Sequence, residues 1–285
     1  MHEIKKAVIP AAGFGTRFLP ATKAQPKEML SVVDKPLIQY SVEEAVNAGI
    51  EKIAVIISRG KSSIEDHFDS SPELERFLEE KGKFDFLEEV RRISGLAEFY
   101  YIRQKEALGL GHAILMAEGF VGNDPFAVLL PDDIYDCERP CIRQLIDVYE
   151  EHRASVVVLG RTDEEGMKKY GIIKPRQISE RVFQVEDLKE KPGPERAFSD
   201  LALIGRYVFD PGIFEAIRQT PPDRKGEIQI TDAIGILLKT QPVYGYLFEG
   251  TRYDAGDKLG FIRATIELAL KRPEFRETLR QYLKT

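Results

Sequence analysis

Two glycines and two cationic side chains stand near the start of the chain, where they could hold a phosphate group. Gly13 and Gly15 follow an apolar run, and Arg17 and Lys27 come soon after in AAGFGTRFLPATKAQPKEML. Glycine lets backbone amides approach an anion without a Cβ in the way. Arginine offers a planar fork for phosphate oxygens, and lysine offers a compact charge. The spacing indicates an anion-binding loop, and an ordinary surface turn explains these residues equally well when they are taken alone.

The loop departs from two common phosphate-binding patterns. It lacks the Gly-Lys-Ser/Thr ending of a Walker A loop. Phe18 stands where a dinucleotide-binding fingerprint needs a small residue to pack a helix onto its strand. Pro20 and Pro26 also prevent an immediate helix. We therefore expect the loop backbone to act together with side-chain cations instead of a helix N-terminus.

Three carboxylates further along the chain could bind a metal ion at the same crevice. Asp132 and Asp133 end the apolar run FAVLLPDD, and Asp254 lies in GTRYDAGDKLG. Ligands of open α/β sheets bind outside the carboxyl ends of the strands, and a magnesium ion on nucleotide phosphates takes one or two protein carboxylates. Asp132 and Asp254 are therefore candidate metal ligands, while a turn or a helix cap explains any single aspartate of this kind.

The elements that must position these residues alternate between short apolar strands and amphipathic helices. This order predicts an α/β fold, a Rossmann-like, mostly parallel mixed sheet with helices on both faces. The near-continuous apolarity of IAVII and FAVLL indicates strands that are covered on both sides. The predicted strands span residues 4–10, 52–58, 98–103, 126–131 and 155–159, and the predicted helices span 36–48, 109–119 and 140–152.

The second half of the chain has a different pattern. Segments 171–187 and 202–209 are extended and are interrupted by glycine and proline, which predicts a small antiparallel subdomain. Residues 257–284 predict two helices that separate at Pro273. Because no linker is evident, we expect the chain to form one continuous domain.

Composition disfavours several classes of protein. The 285 residues carry a net charge of -6, whereas a nucleic-acid-binding surface needs a basic excess. The sequence shows neither a signal peptide nor an apolar run of membrane-spanning length. Cys137 and Cys141 match neither a Cys-x-x-Cys nor a zinc pattern. We therefore expect a cytoplasmic protein with reduced thiols that binds neither nucleic acid nor membrane.

Ten blocks of the sequence resemble, in the same order, the bacterial UTP–glucose-1-phosphate uridylyltransferases. This family is also called the UDP-glucose pyrophosphorylases and belongs to the sugar-1-phosphate nucleotidyltransferases. The resemblance covers nearly the full length, and ten blocks in register are far more specific than any one of them. The blocks are IPAAGFGTRFLPATKAQPKEML, DKPLIQYSVEEAVNAGI, SSIEDHFD, GLGHAI, LLPDD, KYGIIKP, EKPGP, LALIGRYVF, GEIQITDAI and YDAGDKLG.

The resemblance implies transfer of the uridylyl group of UTP to glucose 1-phosphate, which yields UDP-glucose and pyrophosphate with Mg²⁺ as the cofactor. Residues 1–160 of the single domain would mainly bind the nucleotide, and residues 161–256 would mainly bind the sugar. We also expect a homo-oligomer, a dimer or a tetramer, with residues 257–285 as a candidate contact.

The resemblance also implies a set of nucleotide-binding residues. The glycine loop would bring its backbone near the uracil, Glu28 and Gln104 would read the edge of the base, and Gly109 would let the base approach closely. The implied nucleotide-binding residues are Ala12, Gly13, Gly15, Glu28, Gln104 and Gly109.

The sugar-binding and catalytic residues are implied in the same way. Arg17 and Lys27 would hold the triphosphate, and Lys191 would hold the sugar phosphate. The metal ligands would be Asp132 and Asp254. The implied sugar-binding residues are Asp133, Gly171, Glu190 and Lys191, and the implied catalytic residues are Arg17, Lys27, Asp132, Lys191 and Asp254.

Two departures from the family pattern leave alternatives open. Asp200 stands where the family usually has asparagine, so the same chemistry with another nucleotide such as dTTP, or with another hexose 1-phosphate, stays open. Ser58-Arg59-Gly60-Lys61 replaces a Thr-Gly-Arg pattern in a segment that we expect to lie away from the reacting groups. A non-catalytic sugar-nucleotide sensor is a further alternative, and the Phe18 mismatch disfavours a nicotinamide oxidoreductase.

Overall fold

Short apolar runs form the strands and amphipathic runs form the surrounding helices in the computed structural model, which describes residues 3–284. The strands are β1 (Lys6–Pro10), β2 (Ser31–Val32), β3 (Lys35–Pro36), β4 (Lys52–Ile57), β5 (Glu98–Arg103), β6 (Phe126–Leu129), β7 (Asp133–Asp136), β8 (Ser155–Arg161), β9 (Gly171–Gln177), β10 (Val182–Glu190), β11 (Leu201–Phe209), β12 (Val243–Leu247) and β13 (Thr251–Asp254). The helices are α1 (Leu37–Asn47), α2 (Ser62–Phe68), α3 (Pro72–Glu80), α4 (Phe84–Ser94), α5 (Gly109–Leu115), α6 (Glu118–Val121), α7 (Cys141–His152), α8 (Glu164–Met167), α9 (Gly212–Gln219), α10 (Ile230–Leu237), α11 (Lys258–Lys271) and α12 (Pro273–Tyr282).

One nine-stranded mixed sheet forms the centre of the molecule, with the strand order β5-β4-β1-β6-β11-β8-β12-β10-β9. The strands β5, β4, β1 and β6 run parallel to one another. From β11 onward most pairings are antiparallel, and β8 with β12 is the parallel exception. The glycine loop and Asp132 both follow strands of the parallel half, so both lie at the carboxyl edge of the sheet.

Apolar cores cover both faces of this sheet. Side chains of a strand alternate between the faces, and accordingly Ala7 and Ile9 pack in one core while Val8 packs in the other. Helices α1, α2 and α7 contribute to the first core, and α5, α9 and α10 contribute to the second. The helices on both faces match the sequence prediction.

The strands and helices predicted from the sequence are present, with two differences in detail. The helix predicted over 109–119 consists of two short helices, α5 and α6, that separate at Met116 and Ala117. The segment 202–209 forms β11, which lies in the middle of the main sheet between β6 and β8 instead of in a separate subdomain. An extended apolar run reveals a buried strand but not which strands it pairs with.

A fully buried guanidinium group ties the sheet to the turn that carries Asp132 and Asp133. Arg206, on β11, donates hydrogen bonds of 3.0 and 2.8 Å to the carboxylate of Glu44 on α1. It also donates to the backbone oxygens of Leu130 and Asp133, each at 2.8 Å. Arginine can satisfy this many acceptors because its five donors lie in one plane.

Loss of this guanidinium should destabilise the fold. We predict that Arg206→Met lowers the free energy of unfolding by about 3–5 kcal/mol, because it leaves the buried carboxylate of Glu44 uncompensated. The matched substitution Arg218→Met removes an arginine from an exposed ion pair with Glu118 and should change stability little. Urea unfolding of both variants makes the comparison, and equal losses would contradict a special role for Arg206.

Candidate active site

The glycine loop follows β1 and is held against two other parts of the chain. The amide of Ala11 donates to the carbonyl of Ile56 at 2.8 Å, which fixes the start of the loop beside β4. Gly15 has φ of 65°, and a Cβ there would lie 3.1 Å from the Cβ of Lys27. Phe18 is buried, and its ring contacts Phe261 of α11 edge-on at 5.7 Å between centroids.

The prolines of this segment have the predicted effect on the backbone. The loop is followed by three short 3-10 turns instead of a helix, at Thr16–Phe18, Ala21–Lys23 and Lys27–Met29. Backbone amides of a long helix therefore do not point into the site from this segment. Side-chain cations of the turns, Arg17 and Lys27, supply the positive charge.

Two adjoining cavities contain the residues that the sequence singled out. The loop cavity, of about 410 Å³, is bounded by the glycine loop, by Gln104 and by the start of α5. The inner cavity, of about 220 Å³, is bounded by the ends of β9, β10 and β13. The cavities share Leu110, Leu130 and Asp132. The loop cavity contacts Ala12, Gly13, Gly15, Lys27, Glu28, Gln104 and Gly109, and the inner cavity contacts Arg17, Asp133, Gly171, Glu190, Lys191 and Asp254.

A buried ion pair lies at one wall of the loop cavity, with Glu28 in the wall and Lys61 behind it. The ammonium group of Lys61 donates to Oε2 of Glu28 at 2.7 Å, and both side chains are almost completely buried. The amide nitrogen of Gln104 lies 2.8 Å from Nδ1 of His112 and 3.3 Å from the carbonyl oxygen of Gly109. The segment of Lys61 therefore contacts the loop cavity through Glu28 but bounds neither cavity itself.

Asp132 lies at the junction of the two cavities and is paired with a cation. Nζ of Lys27 donates to Oδ2 of Asp132 at 2.6 Å. Burial by itself raises the pKa of Asp132, but the ammonium group of Lys27 outweighs it, so the pKa lies below the usual range. Asp132 is therefore an anion at neutral pH, and Lys27 is held as a cation beside it.

Asp254 approaches Asp132 across the small residue Gly256. A Cβ on Gly256 would lie 3.0 Å from Oδ1 of Asp254 and 3.2 Å from Oδ2 of Asp132. Two carboxylates that face one open space suit a hard divalent cation such as Mg²⁺, which completes its shell with water and substrate oxygens. Among residues 3–284, no group of three or more His, Cys, Asp or Glu side chains is arranged to hold a metal ion.

Arg252 joins the carboxylates of the inner cavity, and the sequence reasoning missed it. β13 pairs with β7 so that Asp254 stands opposite Asp133. The guanidinium of Arg252 lies 2.6 Å from Oδ1 of Asp133 and 3.4 Å from Oδ2 of Asp254, and it also donates to the hydroxyl of Tyr170. Burial raises the pKa of Asp133 to about 7, while Arg252 acts in the opposite direction. Arg252 lies in the segment GTRYDAGDKLG, in which only Asp254 was identified as a candidate from the sequence.

Glu190 and Lys191 lie at the end of β10, on the far side of the inner cavity. Nζ of Lys191 is 2.6 Å from Oε1 of Glu190, and the lysine side chain is half exposed. Lys191 has φ of 44°, a strained conformation for a residue other than glycine, and such strain clusters at functional sites. Gly171 lies on the paired strand β9, where a Cβ would be only 2.7 Å from Oγ1 of Thr231.

Asp200 lies apart from both cavities. Its carboxylate forms an exposed ion pair of 2.5 Å with Arg161. Neither cavity, as bounded by the described residues 3–284, includes Asp200 in its wall. The departure from asparagine at this position therefore changes a surface ion pair in the structure.

Similarity to known proteins agrees with the fold. Residues 6–270 match the model of the family described as nucleotidyl transferase. The chain belongs to this family. It is 53% identical over 284 residues, 100% of this chain and 97% of the other, to a Bacillus subtilis (strain 168) protein named UTP–glucose-1-phosphate uridylyltransferase.

Solved structures resemble this nucleotidyltransferase over nearly its whole length. The UTP-bound UGPase of Acinetobacter baumannii is 40% identical with a TM-score of 0.91, and the match covers 99% of both chains. A UDP-glucose pyrophosphorylase complexed with UDP-glucose is 44% identical with a TM-score of 0.87 over 94% of this chain and 100% of the other. The family resemblance and the fold class predicted from the sequence are confirmed.

The close approach of Gly205 to Asp133 gives a test of the site's geometry. Gly205 has φ of 90°, and a Cβ there would lie 2.2 Å from Oδ2 of Asp133. Gly49 has nearly the same φ, 92°, but open space around it. We predict that Gly49→Ala costs about 1–2 kcal/mol of backbone strain and that Gly205→Ala costs roughly 1–3 kcal/mol more. Thermal and urea unfolding measure both, and equal costs would contradict the contact.

Proposed function

We infer that the chain is a UTP–glucose-1-phosphate uridylyltransferase, which forms UDP-glucose and pyrophosphate. Full-length similarity to enzymes of that name and to UTP-bound and UDP-glucose-bound neighbours supports the reaction. The observation that carries the inference in this chain is the pair of adjoining cavities that meet at Asp132. One cavity has the character of a nucleoside site, and the other collects cations and carboxylates suited to a sugar phosphate.

The proposal assigns the nucleotide to the loop cavity. Its wall combines open backbone at Gly13 with two buried polar side chains, Glu28 and Gln104, that can hydrogen-bond to the edge of a base. Gly109 has φ of 90°, and a Cβ there would meet Glu227 and Ile228 within 3.0 Å, so only glycine fits this wall. Arg17 and Lys27 lie toward the inner cavity, where the triphosphate would extend.

The proposal assigns glucose 1-phosphate to the inner cavity. Asp133 and Glu190 present carboxylates that can accept hydrogen bonds from sugar hydroxyls, and Gly171 lies in the same wall. Lys191 offers a partly exposed ammonium group for the phosphate. The small volume of this cavity suits a single hexose unit better than a longer saccharide.

The reaction then needs no general base and no covalent enzyme intermediate. The phosphate oxygen of glucose 1-phosphate is already an anion near neutral pH. It attacks the α-phosphorus of UTP in line, the new P–O bond forms, and the bond to pyrophosphate breaks. The barrier arises mainly from repulsion between two polyanions and from charge on the leaving group, so positioning and electrostatic stabilisation dominate catalysis.

The chain's own groups supply much of that stabilisation. Arg17, Lys27 and Lys191 are cations in the walls of the two cavities, and they can offset the phosphate charges. Enzymes of this family generally use a divalent metal ion. We propose Mg²⁺, held by Asp132 and Asp254, which would supply Lewis-acid charge neutralisation when it is bound.

The remaining expectations form part of the same proposal. Residues 1–160 would mainly serve the nucleotide and residues 161–256 the sugar. None of the helices described between residues 3 and 284 is long and apolar enough to cross a membrane. The free cysteines Cys137 and Cys141 agree with a reducing cytoplasmic compartment. Exposed apolar side chains on α11 and α12 support a dimer or tetramer, which sizing across a concentration range would test.

Pyrophosphate release tests the reaction and the role of Asp132 together. With Mg²⁺, we predict release from UTP with glucose 1-phosphate, and much less with ATP, CTP, GTP or dTTP or with galactose or mannose 1-phosphate. Asp132→Asn should lower kcat at least ~10²-fold, as expected for one lost electrostatic element. Asp200→Asn is the matched control and should keep both rate and sugar preference.

Three outcomes of this assay would contradict parts of the proposal. If pyrophosphate is released only with a different nucleotide or sugar phosphate, the reaction type stands but the assigned substrate is wrong. Wild-type turnover in Asp132→Asn would remove the assigned role of Asp132. Folded protein that releases no pyrophosphate with any pair would favour a sugar-nucleotide sensor.

Lys191 gives a second test, directed at the sugar phosphate. We predict that Lys191→Ala raises KM for glucose 1-phosphate about 10-fold or more, with a smaller change in KM for UTP, because a charge-assisted hydrogen bond to phosphate is lost. Lys189→Ala, two residues earlier on β10, is the control, since Lys189 lies over the ring of Phe198. Equal losses for both substrates in Lys191→Ala would reassign this lysine to the triphosphate or to the fold.

A further inference from the structure

A buried carboxylate oxygen in the loop cavity has no hydrogen-bond partner. Glu28 is 1% exposed, and its Oε2 accepts from Lys61. Its Oε1 is completely buried and has no partner within the described residues 3–284. Leaving a buried charged acceptor unpaired is costly. Because Glu28 belongs to the wall of the loop cavity, this oxygen is available to a donor group of a bound ligand.

Lys61 is the only salt-bridge partner of Glu28 among these residues, and it stands behind the cavity wall. It precedes α2, its side chain is 7% exposed, and it is not one of the residues that bound the loop cavity. It can therefore affect a ligand only through Glu28. Burial lowers the pKa of Lys61, and the carboxylate of Glu28 opposes that effect. The ion pair places a cation directly behind the carboxylate of Glu28.

We propose that Lys61 is a positioning residue for nucleotide selection, which holds Glu28 as a carboxylate with Oε1 presented to the nucleoside as an acceptor. The inference rests on the proposed function and deepens it. Glu28 is then the contact, and the ion pair with Lys61 fixes the orientation of its carboxylate. A nucleoside with an N–H or O–H donor at this point is accepted, and one with a lone pair there is rejected.

The neighbouring Gln104 offers a neutral amide oxygen as an acceptor, whereas Glu28 offers a charged one. The amide nitrogen of Gln104 is engaged with the carbonyl of Gly109 and with His112. Uracil carries an N–H at N3, whereas cytosine carries a lone pair at the same position. A buried carboxylate facing that lone pair would remain unpaired and would repel it. Sites built to hydrogen-bond one group discriminate strongly against an analogue that lacks it.

The proposal names the imide N–H of the base as the donor, and a ribose hydroxyl, which UTP and CTP share, is the competing assignment. Calorimetric binding of UTP, CTP, N3-methyl-UTP and 2′-deoxy-UTP to the full chain separates them. We expect the wild type to bind UTP at least about 10- to 100-fold more tightly than CTP and than N3-methyl-UTP, as for a hydrogen bond to a charged group. Equal affinity of the wild type for UTP and CTP, or a loss confined to 2′-deoxy-UTP, would overturn the proposal.

The decisive variant is Lys61→Met, measured beside Lys52→Met. Lys52 forms an exposed ion pair with Glu98, so this control removes a lysine from the neighbouring strand β4 without touching the cavities. We expect Lys61→Met to lose at least about 10-fold of the preference for UTP over CTP, and Lys52→Met to keep it. In turnover, KM for UTP should rise while KM for glucose 1-phosphate changes less than about 3-fold, a split that a general loss of structure would not produce.

Removal of Lys61 alone leaves a buried charge and could destabilise the fold. The double variant Lys61→Met/Glu28→Gln removes both charges, and its neutral amide can face either base. We expect it to bind UTP and CTP with similar affinity. Wild-type UTP preference in this folded double variant would overturn the proposal. Because binding is measured without turnover, a wild type that selects UTP but releases no pyrophosphate would count against the proposed reaction and support the role of Lys61.

Discussion

The buried guanidinium of Arg206 holds the turn on which the site depends. It lies on the central antiparallel strand β11 and donates to the backbone oxygens of Leu130 and Asp133, on either side of Asp132. Its charge is balanced by Glu44 of α1. A fully buried ion pair stabilises a fold only when its remaining donors are hydrogen-bonded. Here the backbone oxygens of the turn accept from those donors. The position of both aspartates therefore follows from the packing of the core.

Around that turn, cationic side chains alternate with carboxylates. Lys27 pairs with Asp132 at the junction of the cavities, and Arg252 pairs with Asp133 and approaches Asp254. Charges that are already fixed need little reorganisation when a polyanionic substrate arrives, which is the basis of electrostatic catalysis. The same pairs stabilise the ligand-free protein, because they keep like charges from facing one another unpaired.

Much of the fold could be predicted from the sequence because its signals are local. The run KIAVII forms β4 as predicted, since an apolar β-branched segment of that length has few other stable arrangements. The position of β11 could not be predicted in this way. Its pairing with β6 and β8 joins segments that lie far apart in the chain, and its apolar pattern is the same whichever strands it joins.

The site residues also fall into those with a local sequence signal and those that depend on long-range contacts. The glycine loop, Asp132 and Asp254 could be identified because they follow strands, at the edge where an open α/β sheet binds its ligands. The pairing of Lys61 with Glu28 spans 33 residues and carries no local pattern, so the sequence could not reveal it. Arg252 was overlooked because an arginine next to a tyrosine in a strand indicates nothing by itself. Only the folded chain shows it between two carboxylates.

The central claim is that the two substrates react directly with each other across the junction at Asp132. The stereochemistry at the α-phosphorus tests this most directly. UTP with a chiral α-phosphorothioate and glucose 1-phosphate should give UDP-glucose phosphorothioate with inverted configuration, because a single in-line displacement inverts phosphorus. Retention of configuration would require two displacements and a covalent enzyme intermediate, and it would contradict the account given by this arrangement of charges.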